Sequence, residues 1–127
     1  MAVVLIVEDN LMNMKLVRDV LQFKGYDTLE ATTGREGVRM CIEHLPDLVL
    51  MDIQLPDIDG MTAFQEIRAH PHTRNIPVFV VTASVMPCDQ RRISESGFDA
   101  FISKPIDVKN FVQTVGRFLP ANKESPP

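Results

Sequence analysis

Five side chains that can do chemistry follow four separate apolar runs of this sequence, each at the point where a run ends. They are Glu8, Asp9, Asp52, Thr82 and Lys104. The run before Asp52 is short and continuous, which is typical of a strand buried on both faces of a sheet. An acid at the end of such a strand is unfavourable unless another group compensates its charge. Because nothing structural requires an acid there, Asp52 is the candidate reactive centre.

The types of these side chains favour phosphoryl chemistry. Carboxylates that lie close together repel one another, and one of them binds a proton unless a cation arrives. Lys104 supplies one positive charge, and a hard divalent ion such as Mg²⁺ suits an all-oxygen set of ligands. Asp52 can then stay ionised and act as the nucleophile of aspartyl-phosphate chemistry. The Lys104 ammonium and the Thr82 hydroxyl would meet the oxygens of the phosphoryl group.

Each of these side chains also has an ordinary structural interpretation. Glu8 and Asp9 could stabilise the dipole of a helix that follows them. Thr82 could cap the next helix, and Lys104 alone could be a surface lysine. Asp52 is the hardest to explain in this way, and the four strand ends together favour a reactive site.

The elements that must position these side chains alternate along the chain. Apolar runs predict strands at residues 3–7, 26–31, 48–51, 76–81 and 98–102, with the more polar second strand at an edge. Helical spacing predicts helices at residues 11–24, 34–45, 61–69, 87–96 and 108–119. Five strands alternating with five helices predict a doubly wound α/β sheet with right-handed crossovers. The flavodoxin-like order 2-1-3-4-5 suits a five-stranded parallel sheet in a chain of this length.

Apolar spacing also predicts which helix positions face the core. The predicted inward positions are Val17, Val20, Leu21 and Lys24 in the first helix, Val38, Cys41, Ile42 and Leu45 in the second, and Val108, Phe111, Val112, Val115 and Leu119 in the last. Thr33 and Glu36 have the spacing of a capping box at the start of the second helix. The helix at 87–96 is nearly all polar, so we expect it to gain little from packing and to be the most mobile helix.

Composition and charge exclude several classes of protein. The chain of 127 residues suits one domain with a substantial core. A net charge of −4 argues against a general nucleic-acid binder, which usually carries a basic face. No apolar run approaches the roughly 20 residues that span a bilayer, and the amino terminus lacks the pattern of a signal peptide. Cys41 and Cys88 have no metal-ligand spacing, so we expect reduced thiols in a cytoplasmic protein.

Four segments of the sequence resemble the receiver domains of two-component response regulators, the CheY-like superfamily. They are Leu5-Ile6-Val7-Glu8-Asp9-Asn10, Leu50-Met51-Asp52-Ile53-Gln54-Leu55-Pro56 with Gly60, Val81-Thr82-Ala83 and Ser103-Lys104-Pro105. The resemblance implies that Asp52 accepts a phosphoryl group from a phosphohistidine on a histidine kinase or a histidine phosphotransfer protein. It also implies an Mg²⁺ site with ligands from Glu8, Asp9, Asp52 and the backbone carbonyl of Gln54.

The resemblance further implies how a phosphoryl signal is held and passed on. In the family, the hydroxyl at the position of Thr82 and the ammonium at the position of Lys104 hold the phosphoryl group. Phe101 stands where receivers carry a switch aromatic, although its ordinary interpretation is a core strand residue. Phenylalanine has no hydroxyl to offer a partner, so a switch here works through packing, as a population shift between two arrangements.

The rest of the chain predicts the kind of receiver. Residues 1–119 are expected to form a stand-alone receiver domain and residues 120–127 a disordered polar tail. Three segments resemble the DivK type of cell-cycle regulator, namely Glu8-Asp9-Asn10, Asn13-Met14-Lys15-Leu16 and Asp52-Ile53-Gln54-Leu55-Pro56. The expected output is binding of a downstream protein, with a homodimer left open, rather than contact with nucleic acid or insertion into a membrane. The only expected catalysis is the protein's own phosphorylation and dephosphorylation.

The first helix carries more apolar side chains than one buried stripe needs. The extra residues are Met12, Met14, Leu16 and Phe23. They could form a broad core face. Alternatively, some of them form the docking surface for the helices of the phosphodonor, where flexible methionines suit an adaptable interface.

Three other functions stay open on the residues alone. A haloacid-dehalogenase-like phosphatase also forms an aspartyl phosphate, but its pattern requires a second Asp where this sequence has Gln54. A flavodoxin would carry a first loop rich in Ser, Thr and Gly, whereas Glu8-Asp9-Asn10 would repel a phosphate. A receiver-like scaffold that is never phosphorylated would not need all five of the side chains that can do chemistry.

Overall fold

The computed structural model describes residues 2–58, 60–82, 97–104 and 106–119. Its centre is a sheet of five strands, which are β1 (Val3–Val7), β2 (Asp27–Ala31), β3 (Leu48–Asp52), β4 (Val78–Thr82) and β5 (Ala100–Ser103). All neighbouring strands pair in parallel, and their order is β2-β1-β3-β4-β5. The predicted doubly wound parallel sheet and its strand order are therefore confirmed.

The composition of each strand agrees with its place in the sheet. β3 is buried along its whole length, and β1 is buried at all but its first residue. Large aliphatic and β-branched side chains suit such strands, because helices cover both faces of a parallel sheet. β2 is more polar and lies at an edge, as its sequence predicted.

The register brings the carboxyl ends of the strands to one edge of the sheet. Asp52 at the end of β3 lies opposite Val81 of β4, and Thr82 lies opposite Ser103 of β5. Residues that end or directly follow β1, β3, β4 and β5 therefore enter the same region of the molecule.

Four helices lie in the part of the chain that the structure describes. They are α1 (Leu11–Phe23), α2 (Gly34–His44), α3 (Gly60–Ala69) and α4 (Val108–Phe118). α1 and α4 pack on one face of the sheet, and α2 and α3 pack on the other. The fifth predicted helix, at residues 87–96, lies outside the described residues. Its expected mobility therefore stays a prediction. None of the described helices is long and apolar enough to cross a membrane.

Most of the predicted inward positions form the two cores between sheet and helices. The buried ones are Val17, Leu21, Val38, Cys41, Phe111, Val115 and Leu119. Val20, Ile42 and Val112 are partly buried against them. Burial raises the pKa of the Cys41 thiol to about 11, so this residue is a small apolar core side chain.

Three predicted inward positions are wrong, and all three lie at helix ends. Leu45 is 50% exposed and ends α2 in a left-handed conformation with φ 50°, just before Pro46. Val108 is 41% exposed, because it is the first residue of α4 after the N-cap Asp107. Lys24 is the exposed C-cap of α1. Spacing predicts the direction of a side chain only where helical geometry continues on both sides.

β4 and β5 each begin two residues later than predicted. Pro77 has no N–H to donate to a neighbouring strand. A side chain adds to the backbone contacts at this point, since Oδ2 of Asp99 accepts from the Val78 N–H at 2.8 Å and from Arg68 Nη2 at 2.7 Å. These contacts attach α3 to the amino ends of both strands.

Tyr26, directly before β2, attaches the end of α4 to the sheet. The residue is 6% exposed, and its hydroxyl donates to the carbonyl oxygen of Leu119 at 3.3 Å. A buried tyrosine hydroxyl usually finds such a partner. The contact lies at the amino edge of the sheet, away from the strand ends that carry the candidate site.

Candidate functional site

Three carboxylates meet at the carboxyl edge of the sheet. Glu8 follows β1 and Asp52 ends β3, and each of these residues is only 3% exposed. Asp9, the next residue after Glu8, is exposed. One carboxylate oxygen from each of the three lies within 4.8 Å of the others. We call these three residues the carboxylate cluster.

Lys104 follows β5, and its ammonium contacts both buried acids of the carboxylate cluster. Its Nζ lies 2.9 Å from Oδ2 of Asp52 and 3.3 Å from Oε1 of Glu8. Burial disfavours the charged lysine, but the hydrogen bond to Asp52 and the charges of Asp52 and Glu8 outweigh it and raise the pKa of Lys104. The lysine stays protonated and balances one of the negative charges.

The pKa of Glu8 is raised by its burial and by the neighbouring Asp52. Burial, followed by the hydrogen bond with Asp52 and the charge of Asp52, raises the pKa of Glu8 from 4.5 to about 7. The backbone N–H of Asn10, which donates to Oε2 of Glu8 at 3.2 Å, and the charge of Lys104 act in the opposite direction. Near neutral pH, Glu8 therefore holds a proton part of the time unless a second cation reaches the cluster.

The Asp52 carboxylate is oriented by a hydrogen bond on each oxygen. Oδ1 accepts from the backbone N–H of Gln54 at 3.0 Å, and Oδ2 accepts from Lys104 at 2.9 Å. The loop after β3 closes on itself, since the Gly60 N–H donates to the Ile53 carbonyl oxygen at 2.8 Å. A side chain at residue 60 would meet the carbonyl oxygen of Asp52 and the Cα of Ile53, so this close return requires glycine.

The donors of the carboxylate cluster fit a hard divalent cation. All three side chains offer oxygen, which is the ligand that Mg²⁺ and Ca²⁺ prefer. Asp9 is exposed, so one side of the cluster is accessible to the waters that Mg²⁺ retains. A cation would also offset the negative charge that raises the pKa of Glu8. The cluster could therefore bind a metal ion through Glu8, Asp9 and Asp52.

Two further predicted site residues lie on the neighbouring strands. Thr82 ends β4, the strand next to β3, but its hydroxyl lies outside the described part of the structure. Phe101 lies in β5 opposite Val80 and is 39% exposed. A ring exposed to this extent is not part of the buried core, so the structure does not support the ordinary interpretation of Phe101.

Sequence reasoning missed two polar residues whose side chains accept hydrogen bonds at the start of a helix. Asn10 is the N-cap of α1, and its side-chain oxygen accepts from the N–H groups of Met12 and Asn13 at 3.0 Å. An Asn directly before a helical pattern is a recognised N-cap signal and could have identified it. Asp57 contacts the start of α2, which lies far away along the chain, and no local pattern predicts such a contact.

The apolar side chains of α1 divide between the core and the surface. Met14 is 2% exposed, so the core interpretation is right for this residue. Met12, Leu16 and Phe23 are exposed to 83%, 38% and 86%, and Leu11 to 73%. Because α1 begins at Leu11, its exposed first turn adjoins the carboxylate cluster.

Residues 4–116 match the family model of the response regulator receiver domain. The chain therefore belongs to the response regulator receiver family, the class that its strand order and its strand-end acids also indicate. It is a response regulator of two-component phosphorelay signalling, and the resemblance carried by its four sequence segments is confirmed.

Relatives of similar length support this assignment. The polar-differentiation response regulator DivK of Brucella ovis is 45% identical over 116 residues, which cover 91% of this chain and 94% of that protein. The signal receiver domain of a signal transduction histidine kinase from Syntrophus aciditrophicus is 32% identical with a TM-score of 0.87, covering 99% of this chain and 96% of that chain.

A third similar protein was solved with a metal. The receiver domain of the sensor histidine kinase PA1611 from Pseudomonas aeruginosa is 29% identical with a TM-score of 0.85, covering 92% of this chain and 96% of that chain. Its structure holds a magnesium ion coordinated in the active-site cleft.

Proposed function

We propose that Asp52 accepts a phosphoryl group from a phosphohistidine on a histidine kinase or a histidine phosphotransfer protein. The observation that carries this proposal is the arrangement around the Asp52 carboxylate. Asp52 is 3% exposed, and its carboxylate lies 2.9 Å from the Lys104 ammonium. Oxygens of Glu8 and Asp9 lie within 4.8 Å of it. The acid lies at the carboxyl edge of a parallel sheet, which is where α/β proteins of this kind bind their ligands.

The proposed chemistry is a displacement at phosphorus. An oxygen of the ionised Asp52 carboxylate forms a bond to phosphorus while the bond from phosphorus to the histidine nitrogen breaks, and the nitrogen keeps that electron pair. Lys104 is close enough to Asp52 to donate a hydrogen bond to a phosphoryl oxygen. We propose that the Thr82 hydroxyl donates another. Both donors would stabilise negative charge on the phosphoryl oxygens during transfer.

The proposed cofactor is Mg²⁺, with ligands from Glu8, Asp9, Asp52 and the backbone carbonyl of Gln54. When bound, it would neutralise charge on the phosphoryl oxygens. The oxygen-only donors and the raised pKa of Glu8 support a cation at this place. The hydrogen bond from the Gln54 N–H to Oδ1 of Asp52, at 3.0 Å, supports a role for the Gln54 backbone because it keeps that backbone beside the acceptor.

The proposed output is a switch that joins Thr82 to Phe101. Movement of the Thr82 hydroxyl toward the phosphoryl group would allow the Phe101 ring, which is 39% exposed, to turn inward. The two arrangements would differ in packing, so phosphorylation would shift the population between them. The changed face would then bind a downstream protein.

The phosphodonor is proposed to dock on the exposed first half of α1. A donor protein must bring its phosphohistidine to Asp52, so its contact surface has to adjoin the carboxylate cluster. Leu11, Met12 and Leu16 are exposed apolar side chains on the helix that begins there. Apolar residues of this kind suit an interface with another helical surface.

We further propose that residues 1–119 form the receiver domain and that its only catalysis is its own phosphorylation and dephosphorylation. A cytoplasmic location is proposed from the buried free thiol of Cys41, since reduced thiols are usual in that compartment. The predicted disordered tail at 120–127 lies outside the described residues and stays a prediction.

The test is phosphorylation by acetyl phosphate in the presence of Mg²⁺, followed by mass spectrometry of the intact protein. The unaltered protein should gain one phosphoryl group, and a chelator should prevent the gain. Asp52→Asn should gain none. Asp27→Asn is the matched control, because Asp27 is an exposed acid at the amino end of β2, and this variant should react normally.

Two results would contradict the proposal. Phosphorylation of Asp52→Asn to the same extent as the unaltered protein would place the phosphoryl group elsewhere. Sustained hydrolysis of phosphate esters by the unaltered protein would favour the phosphatase-like enzyme instead.

A further inference from the structure

The loop between β3 and α3 is attached to the end of β3 at its base. The described part of this β3–α3 loop, residues 53–58, leaves directly after Asp52. The Gln54 N–H donates to Oδ1 of Asp52 at 3.0 Å, and the Gly60 N–H donates to the Ile53 carbonyl oxygen at 2.8 Å. Both contacts lie at the base of the loop, and neither involves its middle residues.

Asp57 holds the loop through its side chain. Its Oδ1 accepts from the Gly34 N–H at 2.8 Å, and its Oδ2 accepts from the Arg35 N–H at 2.9 Å. These are the first two N–H groups of α2, which have no partner within the helix. The hydrogen bonds from Arg35 and Gly34 lower the pKa of Asp57, so the carboxylate stays ionised at the positive end of the helix dipole.

The rest of the α2 cap is local and does not involve the β3–α3 loop. The Glu36 N–H donates to Oγ1 of Thr33 at 3.1 Å, as the capping-box spacing predicted. The Glu36 side chain reaches back to the Thr32 N–H at 3.1 Å, one residue before the N-cap. The start of α2 is therefore capped partly by its own residues and partly by Asp57.

Packing reinforces the hydrogen bonds of Asp57. A Cβ at Gly34 would lie 2.5 Å from Cγ1 of Ile58 and 3.2 Å from the Ile58 carbonyl oxygen. The loop can therefore rest directly on the first turn of α2 because residue 34 has no side chain. Adjacent loop residues, Asp57 and Ile58, thus contact the same helix end.

We infer that Asp57 is a positioning residue for the metal site. By attaching the β3–α3 loop to the first turn of α2, it fixes the backbone at Gln54 beside Asp52 before a metal arrives. A loop held only at its base would have to be ordered when the metal binds, and that ordering reduces affinity. This inference rests on the proposed function, in which the Gln54 carbonyl is a ligand of Mg²⁺.

The test compares two variants at the same helix end by calorimetric titration with Mg²⁺. Asp57→Ala removes the contact between loop and helix, and we expect its Kd for Mg²⁺ to rise about tenfold, as for other residues that orient metal ligands. Thr33→Ala removes a cap from the same helix but leaves the loop contact in place. It should lower the melting temperature as Asp57→Ala does and leave the Kd unchanged. Asp57→Asn keeps one acceptor oxygen and should give an intermediate Kd.

The outcomes separate this inference from the function on which it rests. A folded Asp57→Ala protein that binds Mg²⁺ as tightly as the unaltered protein overturns the inference alone. So does a Thr33→Ala protein weakened as much as Asp57→Ala, because the effect would then belong to helix stability. If Asp57→Ala does not fold, an unchanged Kd for Asp57→Asn overturns the inference. Absence of Mg²⁺ binding by the unaltered protein overturns both.

Discussion

At the scale of single residues, the balance of charge at the carboxylate cluster depends on Lys104 and Glu8. Lys104 contacts both buried acids, at 2.9 and 3.3 Å, and its pKa is raised. Glu8 has a pKa of about 7, because burial disfavours its charged form and the neighbouring Asp52 carboxylate adds to the effect, while Lys104 offsets only part of it. Each of the two residues leads to a separate prediction.

Replacing Lys104 by Met removes the ammonium and keeps much of the length of the side chain. We expect the rate of phosphorylation by acetyl phosphate to fall about 100-fold or more, since one donor to the reacting oxygens is worth about that much. Mass spectrometry over time gives the rate. Lys15→Met is the control, because Lys15 is an exposed residue of α1 paired with Asp19, and it should react normally. An undiminished rate in Lys104→Met would contradict the role given to the ammonium.

Glu8 makes the stability of the metal-free protein depend on pH. Its pKa is about 7 in the folded protein against an ordinary value of 4.5, so the folded state binds this proton more tightly than the unfolded state. The contribution of Glu8 to the free energy of unfolding should therefore fall as the pH rises from about 4.5 to about 7, and then level off.

Urea unfolding in the presence of a chelator measures this dependence. The comparison is with Glu8→Gln, which has no titrating group at this position. The difference in the free energy of unfolding between the two proteins should change as the pH rises from about 4.5 to about 7. Parallel profiles would mean that the pKa of Glu8 is not raised in the folded protein.

At the scale of elements, α1 serves the core on one side and a solvent-facing surface on the other. Met14, Val17 and Leu21 are buried, whereas Met12 and Leu16 are exposed. The sequence predicted an excess of apolar residues in this helix. It could not assign each residue to core or surface, because that depends on how the helix is rotated against the sheet and α4.

The exposed side of α1 leads to a prediction about the phosphodonor. We expect the double variant Met12→Ala and Leu16→Ala to lower the rate of transfer from a histidine kinase that phosphorylates the unaltered protein, by about tenfold for the loss of interface anchors. Phosphorylation by acetyl phosphate should be unchanged, since that small donor needs no docking surface. The two rates are measured side by side.

Phe23→Ala provides the matched control for this prediction. Phe23 is as exposed as Met12 but ends the same helix, away from the carboxylate cluster. Its transfer rate should equal that of the unaltered protein. An equal fall in transfer rate in the double variant and in Phe23→Ala would indicate a general effect on α1. An unchanged transfer rate in both would show that α1 is not part of the proposed interface.

At the scale of the whole molecule, a metal at the carboxylate cluster should stabilise the entire fold. The three ligand side chains come from the ends of two strands, since Glu8 and Asp9 follow β1 and Asp52 ends β3, and the two strand ends come together only when the sheet forms. Mg²⁺ at 100 times its Kd should therefore raise the free energy of unfolding by about 2.7 kcal/mol. Asp52→Asn should reduce this increase, whereas Asp27→Asn should not. A stability that is unaffected by Mg²⁺ would contradict a metal site made by the folded sheet.

The sequence predicted the features of the molecule that follow from strand ends. Buried parallel strands read as continuous apolar runs, so β1 and β3 were recognisable, and polar residues after such runs meet at one edge. Asp52, Glu8 and Lys104 could therefore be assigned to one place. The Asp57 contact could not be predicted, because it joins segments that the chain separates and leaves no local pattern. Leu45 was misassigned for a different reason, since Pro46 directly after it is a local signal that the helix ends there, and helical spacing does not apply to the C-cap residue.

Tyr26, which donates a hydrogen bond to Leu119, is an intrinsic fluorescent probe of this protein. The sequence contains one tyrosine and no tryptophan, so its near-ultraviolet fluorescence comes mainly from a single ring. That ring is 6% exposed and lies at the amino edge of the sheet, opposite the acidic end. We expect its emission to change if the hydroxyl loses its hydrogen bond to Leu119 at the end of α4. A change in that fluorescence upon phosphorylation would show that the structural change extends from the carboxyl edge of the sheet to its amino edge. The change could be followed without attaching a dye.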